Sequence, residues 1–301
     1  WGRGPWRGPP VASRQPTRLL GYPDDARLLI INADDFGLCQ AVNEAVMAAL
    51  PAGLLRSTTL MVPCPWARHA MRLLAEHPEF PFGVHLTAIS DWMDYRWGPV
   101  TAREKVPSLI RADGSFYNFD QMPHFLAQVD LGQLEMEFRA QIEAVLDFGL
   151  RPTHLDWHCL RLDGWDAVAE VMLGLAREYG LAMRVVVRSQ IARVRSLGLP
   201  TNDSGFLDSY QLDLTGKQAH YVELLRRLPP GLSEWAIHPG FNYPELLAIE
   251  SEGHHMRQSG FDFLVSQQAR DVIEEEGIIL LDYRPLQAIW REAAGREVKA
   301  L

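Results

Sequence analysis

Leu28-Leu29-Ile30-Ile31-Asn32-Ala33-Asp34-Asp35-Phe36-Gly37 is the stretch whose reading decides the fold. Four apolar residues in a row, without alternation, suit a strand buried on both faces, as in a parallel sheet. The run ends at two adjacent carboxylates and a glycine. In strand-then-helix folds the C-terminal end of a strand is where sites are built, because the connecting loops converge there. Side chains of neighbouring residues on an extended backbone point to opposite faces. Asp34 and Asp35 therefore share a site only where the strand breaks, one binding a cation and the other handling protons. The competing reading is a solvated turn whose aspartate caps the helix that starts near Gln40.

Working outward, strand-like and helix-like segments alternate. Helical patterns cover Gln40–Leu50, about Trp66–Glu76, Leu131–Phe148, about Trp165–Tyr179, Lys217–Arg227 and Phe261–Glu275. Strand patterns cover Ser57–Val62, Phe82–Leu86, Thr153–Asp156, Met183–Val187, Trp235–His238 and Ile278–Asp282. Gly149 and Pro152 stop one helix, and Gly180 is placed to cap another. Such alternation predicts a parallel sheet with right-handed crossovers. The fold class is α/β, with about seven parallel strands in a distorted or incomplete (β/α) barrel; a doubly wound open sheet is the alternative.

Composition narrows the function. Lys plus Arg is 29 against 38 Asp plus Glu, a net charge of −9, and no basic run marks a nucleic-acid surface. No apolar stretch approaches the roughly 20 residues that span a bilayer. Residues 1–17, rich in Arg, Gly and Pro, read as a disordered tail or expression remnant, and residues 18–301 as a single catalytic domain. Long loops are expected at about 88–130 and 200–215. Three cysteines, Cys39, Cys64 and Cys159, show no paired spacing, which favours reduced thiols and a cytoplasmic setting. A homo-oligomer is left open.

Histidines recur at other strand ends. His85 closes Phe82-Gly83-Val84-His85-Leu86, and His238 precedes a Pro-Gly turn. His154, Asp156 and His158 fall on alternate positions, so all three can face one side. A single histidine is more often structural; several converging on one rim are hard to explain as packing. Two imidazoles and a carboxylate make a face for a divalent ion with positions left open for water and substrate. Metal-assisted hydrolysis is the reaction class that follows.

The order Asn-Ala-Asp-Asp-Phe-Gly (32–37), Gly-Val-His-Leu (83–86), Pro-Thr-His-Leu-Asp-x-His (152–158) and His-Pro-Gly (238–240) resembles the YdjC-like carbohydrate deacetylases, the ChbG/HpnK family. The Ser57–Val62 run and the helix carrying Glu137 and Gln141 are also similar to it, and the resemblance covers about residues 27–290. It implies a distorted (β/α) barrel that removes an acetyl group from an N-acetylated sugar with one divalent metal; two imidazole ligands favour zinc, while related sites also take magnesium. It assigns the metal to Asp35, His85 and His158 and the catalytic base to Asp34. Asp156 and Arg184 become groups that orient and tune the site, and His238 faces the leaving amine. The chain departs from the family pattern at Cys159-Leu160-Arg161, where further histidines are usual, and at Gly260, where a late Arg-x-x-Glu loses its glutamate. Both departures bear on substrate fit rather than on the ligands.

Substrate choice is expected in the loop after His85, where Trp92, Tyr95, Trp97, Phe116, Tyr117 and Phe119 offer faces for stacking on sugar rings. Each ring has an even alternative in simple packing. Pro200–Tyr210 with His254, His255 and Arg257 is a second candidate region. The expected partner is an acetylated sugar or glycoside: a chitooligosaccharide, or the N-acetylglucosaminyl group of a teicoplanin-like glycopeptide antibiotic. A metal amidase acting on a non-sugar acyl group and a non-catalytic carbohydrate-binding relative are the alternatives.

Overall fold

The computed structural model describes residues 16–160, 165–203, 207–208 and 214–298. Residues 1–15, Arg161 and half of the 200–215 loop (204–206 and 209–213), all singled out in the sequence, lie outside the described residues. Among the described residues eight strands form one parallel sheet: β1 (Arg27–Phe36), β2 (Ser57–Leu60), β3 (Phe82–Leu86), β4 (His154–Trp157), β5 (Ala182–Met183), β6 (Leu207–Asp208), β7 (Gly231–Ile237) and β8 (Ile279–Leu281). The order across it is β5-β4-β3-β2-β1-β7-β6, with β8 paired to β1. The first half of β1 pairs with β8, through Leu28 to Ile30, and its second half with β2, from Asn32 onward. Leu28 to Ile31 are fully buried, as an apolar run without alternation requires.

A side chain decides between an open sheet and a barrel. Five strand spacings of about 4.8 Å separate β5 from β7 if the sheet is flat. Yet Arg184, directly after β5, donates from Nε to Glu234 on β7 at 2.7 Å and from both terminal nitrogens to Asp34 on β1 at 2.8 Å. The sheet is therefore curled around a polar interior. Among the described residues β5 and β6 do not pair, so the barrel is incomplete.

Helices cover the outside, the longest being Leu131–Asp147, Asp166–Tyr179 and Arg284–Val298. Asp130 caps the first through the backbone N–H of Gln133, and Gly180 ends the second at φ 62°. Several expectations change. The strand read over 183–187 ends at Met183, because the chain turns to send Arg184 inward, and a helix follows at Arg188–Ser196. The helix read over 261–275 is two, His254–Leu264 and Gln267–Glu275, with Ser266 capping the second. No helix of the described residues is long and apolar enough to cross a membrane.

Candidate active site

The break that the sequence calls for between Asp34 and Asp35 is present. The β1–β2 register shifts between Ala33 and Phe36, and Asp35 adopts φ 68°. This left-handed residue inside a bulge lets consecutive carboxylates face one interior. The bulge is locked on its far side, where Leu38 N–H donates to Asp35 O at 3.0 Å and Trp66 N–H to Gly37 O at 3.1 Å. At Gly37, φ is 98°, and a Cβ would stand 3.2 Å from Ala67 Cα, so the turn has room only for glycine.

Asp35 Oδ1 lies 3.4 Å from His85 Nε2 and 3.2 Å from His158 Nδ1. The donor atoms of these three buried residues all lie within 4.8 Å of one another. The outer nitrogen of each imidazole is held by a carboxylate: His85 Nδ1 donates to Asp156 Oδ1 at 2.6 Å, and His158 Nε2 to Asp91 Oδ2 at 2.8 Å. Metal-binding histidines are characteristically oriented this way. The donor set and its supports thus fit a divalent ion. Burial opposes a charged His85, but Asp156, Asp35 and Asp34 raise it to about 9. Burial likewise opposes the ionised Asp35, yet Arg257 and the two imidazoles hold it well below the usual carboxylate range.

Asp34 has a different environment. Arg184 donates to both of its oxygens, and Asn32 Nδ2 donates to Oδ1 at 2.8 Å. Burial would raise this carboxyl; the Arg184 guanidinium, helped by His85 and His238, brings it below the ordinary value instead. His238, following β7, places Nε2 3.9 Å from Asp34 Oδ2. Asp156 meets the same guanidinium at 3.0 Å.

Asp34, Asp35, His85, Asp156, His158, Arg184 and His238 are therefore gathered in one interior. His154 is one layer deeper, stacked on Tyr283 with ring centroids 3.6 Å apart. The remaining candidates divide by exposure. Trp92 and Tyr95 are half-buried, whereas Trp97 is buried, its indole N–H donating to Ile89 O at 2.8 Å. Arg257 is also buried and donates to Asp35 Oδ2 at 2.9 Å and to Glu250 at 2.7 Å. Gly260 faces Ile237 and the His238 carbonyl, where a side chain would make ordinary contacts.

Sequence reasoning gave no role to Asn32, Asp91, Glu234, Tyr283 or Glu250. Asn32 and Glu234 carried a usable signal, a polar residue inside an otherwise apolar strand. Thr59 Oγ1 accepts from Asn32 at 3.0 Å, and Tyr283 donates to Glu234, so these residues brace Asp34 and Arg184 from behind.

The sequence profile of the YdjC-like protein family matches residues 28–275. This chain is a member of that family. The carbohydrate deacetylase of Brevibacillus brevis is 35% identical over 261 residues, 86% of this chain and 99% of that protein. The carbohydrate deacetylase of Geobacillus stearothermophilus is 33% identical over 262 residues, 86% of this chain and 97% of its own. A crystal structure from Enterococcus faecalis V583, described as a proposed cellobiose-phosphate cleavage protein, superposes with a TM-score of 0.74 at 29% identity. It covers 87% of this chain and 99% of its own. In this YdjC-like protein, every matched motif named above contributes a residue to the buried interior.

Proposed function

We propose that this YdjC-like protein is a divalent-metal-dependent N-deacetylase acting on an N-acetylglucosamine-containing glycoside, releasing acetate and a free amine. The observation that carries the reading is the convergence of Asp35, His85 and His158 beside Asp34 and His238. The curated relatives named as carbohydrate deacetylases support the substrate class.

Asp35, His85 and His158 would hold a divalent ion, which when bound would supply an acidified water and polarise the acetyl carbonyl. Asp34 takes the water proton at Oδ2, the oxygen facing His238. Arg184 keeps Asp34 ionised, the form that can accept a proton. His238 delivers a proton from Nε2 to the departing sugar nitrogen, since an amine leaves poorly as an anion. Asp156 fixes the ring of His85, and Arg184 fixes the plane of the Asp34 carboxylate. Arg257 acts at the same centre through Asp35.

Acceptor binding belongs to the loop after β3. Rings are stacked edge to face outward from the metal site: His158 to Trp97 at 5.9 Å, then Trp97 to Trp92 at 6.0 Å and to Tyr95 at 6.2 Å. Trp92 and Tyr95 are the members open to a ligand, with Trp97 as their backing. This wall suits a chitooligosaccharide or the glycosylated aromatic rings of a teicoplanin-like glycopeptide better than a free monosaccharide, each stacked ring contributing about 0.5–1.5 kcal/mol beyond area burial. Acetate release from free N-acetylglucosamine, chitobiose and a glycopeptide pseudoaglycone, with zinc and with magnesium, tests the reading. The larger substrates are expected to have the higher kcat/KM. Hydrolysis of a simple acyl amide with none of the sugars cleaved would overturn it.

A further inference from the structure

We infer that Asp91 is a positioning residue that couples the aromatic loop to the metal site, so that metal loading and ordering of the loop favour each other. The inference rests on the assignment of His158 as a metal ligand. His158 stands between two carboxylates from different parts of the chain: Nδ1 is 3.2 Å from Asp35 on β1, and Nε2 is 2.8 Å from Asp91 on the loop. An imidazole that ligates through one nitrogen is held in tautomer and orientation by whatever grips the other. For His85 that grip is Asp156, a neighbour in the sheet, since β3 and β4 pair His85 with Asp156. For His158 it comes from outside the sheet.

The loop that carries Asp91 is itself pinned near both of its ends. Trp97 N–H donates to Ser90 Oγ at 3.2 Å and its indole to Ile89 O, while Tyr95 OH donates to Leu38 O at 2.7 Å. Further on, the N–H groups of Val100 and Thr101 both donate to buried Glu137, at 3.0 and 2.9 Å. Asp91 follows Ser90, whose N–H donates to Tyr117 O at 2.9 Å, and leads into the segment carrying Trp92, Tyr95 and Trp97, so its grip on His158 and the docking of that segment favour each other. Trp97 packs its ring edge-on to His158, so a second contact favours the same arrangement. Linkage then requires reciprocity: if docking raises metal affinity, metal raises the population of the docked loop.

The experiment compares wild type with Asp91→Ala, Asp91→Asn, Asp156→Ala and Asp94→Ala, the last an exposed carboxylate on the same loop. Zinc affinity is measured by competition with a chromophoric chelator, and backbone amide exchange over residues 87–101 is measured with and without zinc. Asp91→Ala is expected to weaken zinc binding about 10–100-fold, the usual effect of removing a group that orients a ligand histidine. Asp91→Asn, which keeps an oxygen to accept from Nε2–H, is expected to recover most of that loss, and Asp94→Ala to bind as wild type. Zinc should slow amide exchange in the loop of wild type and not in Asp91→Ala. Wild-type zinc affinity in Asp91→Ala alongside a loss in Asp156→Ala overturns this inference and leaves the metal site standing. A wild type that binds no divalent ion overturns it together with the reading beneath it.

Discussion

Asp34 and Asp35 are adjacent and chemically identical, and one dihedral separates their surroundings. The left-handed turn at Asp35 aims its carboxylate at two imidazoles, while Asp34, one residue earlier on β1, meets a guanidinium with both oxygens. Replacing His85 or His158 by alanine is expected to drop bound metal well below one per chain and to abolish hydrolysis. Asp34→Asn is expected to keep the metal and lose turnover by roughly two to four orders of magnitude, the range for a general base. Metal content by elemental analysis decides between the two carboxylates: if Asp34→Asn loses metal while Asp35→Asn keeps it, their roles are reversed. His238 is checked separately. In His238→Ala, acetylated amines that leave readily should retain far more of their rate than an acetylated sugar; equal loss on both would make His238 structural. The sequence shows why these residues belong together, because each closes an apolar run. It does not show how they divide the labour, because the bulge that turns Asp35 is locked by distant backbone partners such as Trp66.

At the scale of elements, the helix Leu131–Asp147 is legible from its period, its cap and its stop, but the reason for a buried glutamate in it is not. Glu137 and Gln141 lie one turn apart, joined at 2.8 Å, and together hold the loop after β3: Gln141 bonds both backbone groups of Thr87, and Glu137 accepts from Val100 and Thr101. Glu137→Ala leaves two backbone donors without an acceptor, at a cost of about 1–3 kcal/mol. Faster amide exchange at Val100 and Thr101 and a lowered Tm are expected. Unchanged exchange there would show that the loop is held elsewhere. Short and polar elements were harder to read. The Val185–Val187 run has strand composition, yet β5 leaves the sheet after Met183, paired with Leu155, although β4 runs on to Trp157, because the chain turns to send Arg184 inward. Arg188–Ser196 carries five arginines and serines against two buried aliphatics, Ile191 and Val194, so its helical period is faint. The break at Val265–Ser266 is marked only by a serine cap, without glycine or proline.

For the whole molecule, the question that periodicity leaves open is closure, since strand–helix alternation serves a barrel and an open sheet equally. Arg184 answers it by joining β1, β4 and β7 through Asp34, Asp156 and Glu234. A guanidinium buried among three carboxylates is a weak source of net stability, but its removal leaves uncompensated charge, which costs about 3–5 kcal/mol. On the proposed site a divalent ion would contribute in another way, stabilising only the folded chain by an amount that grows with its concentration, about 2.7 kcal/mol at a hundred times Kd. Chemical unfolding of wild type, Arg184→Met and His85→Ala, each with zinc and with chelator, separates the two contributions. Wild type should lose stability on chelation, and His85→Ala should give the same curve in both conditions because it has no complete site. Arg184→Met should unfold earlier than wild type even in chelator, where no metal difference remains to explain it. If Arg184→Met matches chelated wild type, the cross-barrel network orders the site without holding the barrel together, and closure rests on the apolar layers of β1, β7 and β8 alone.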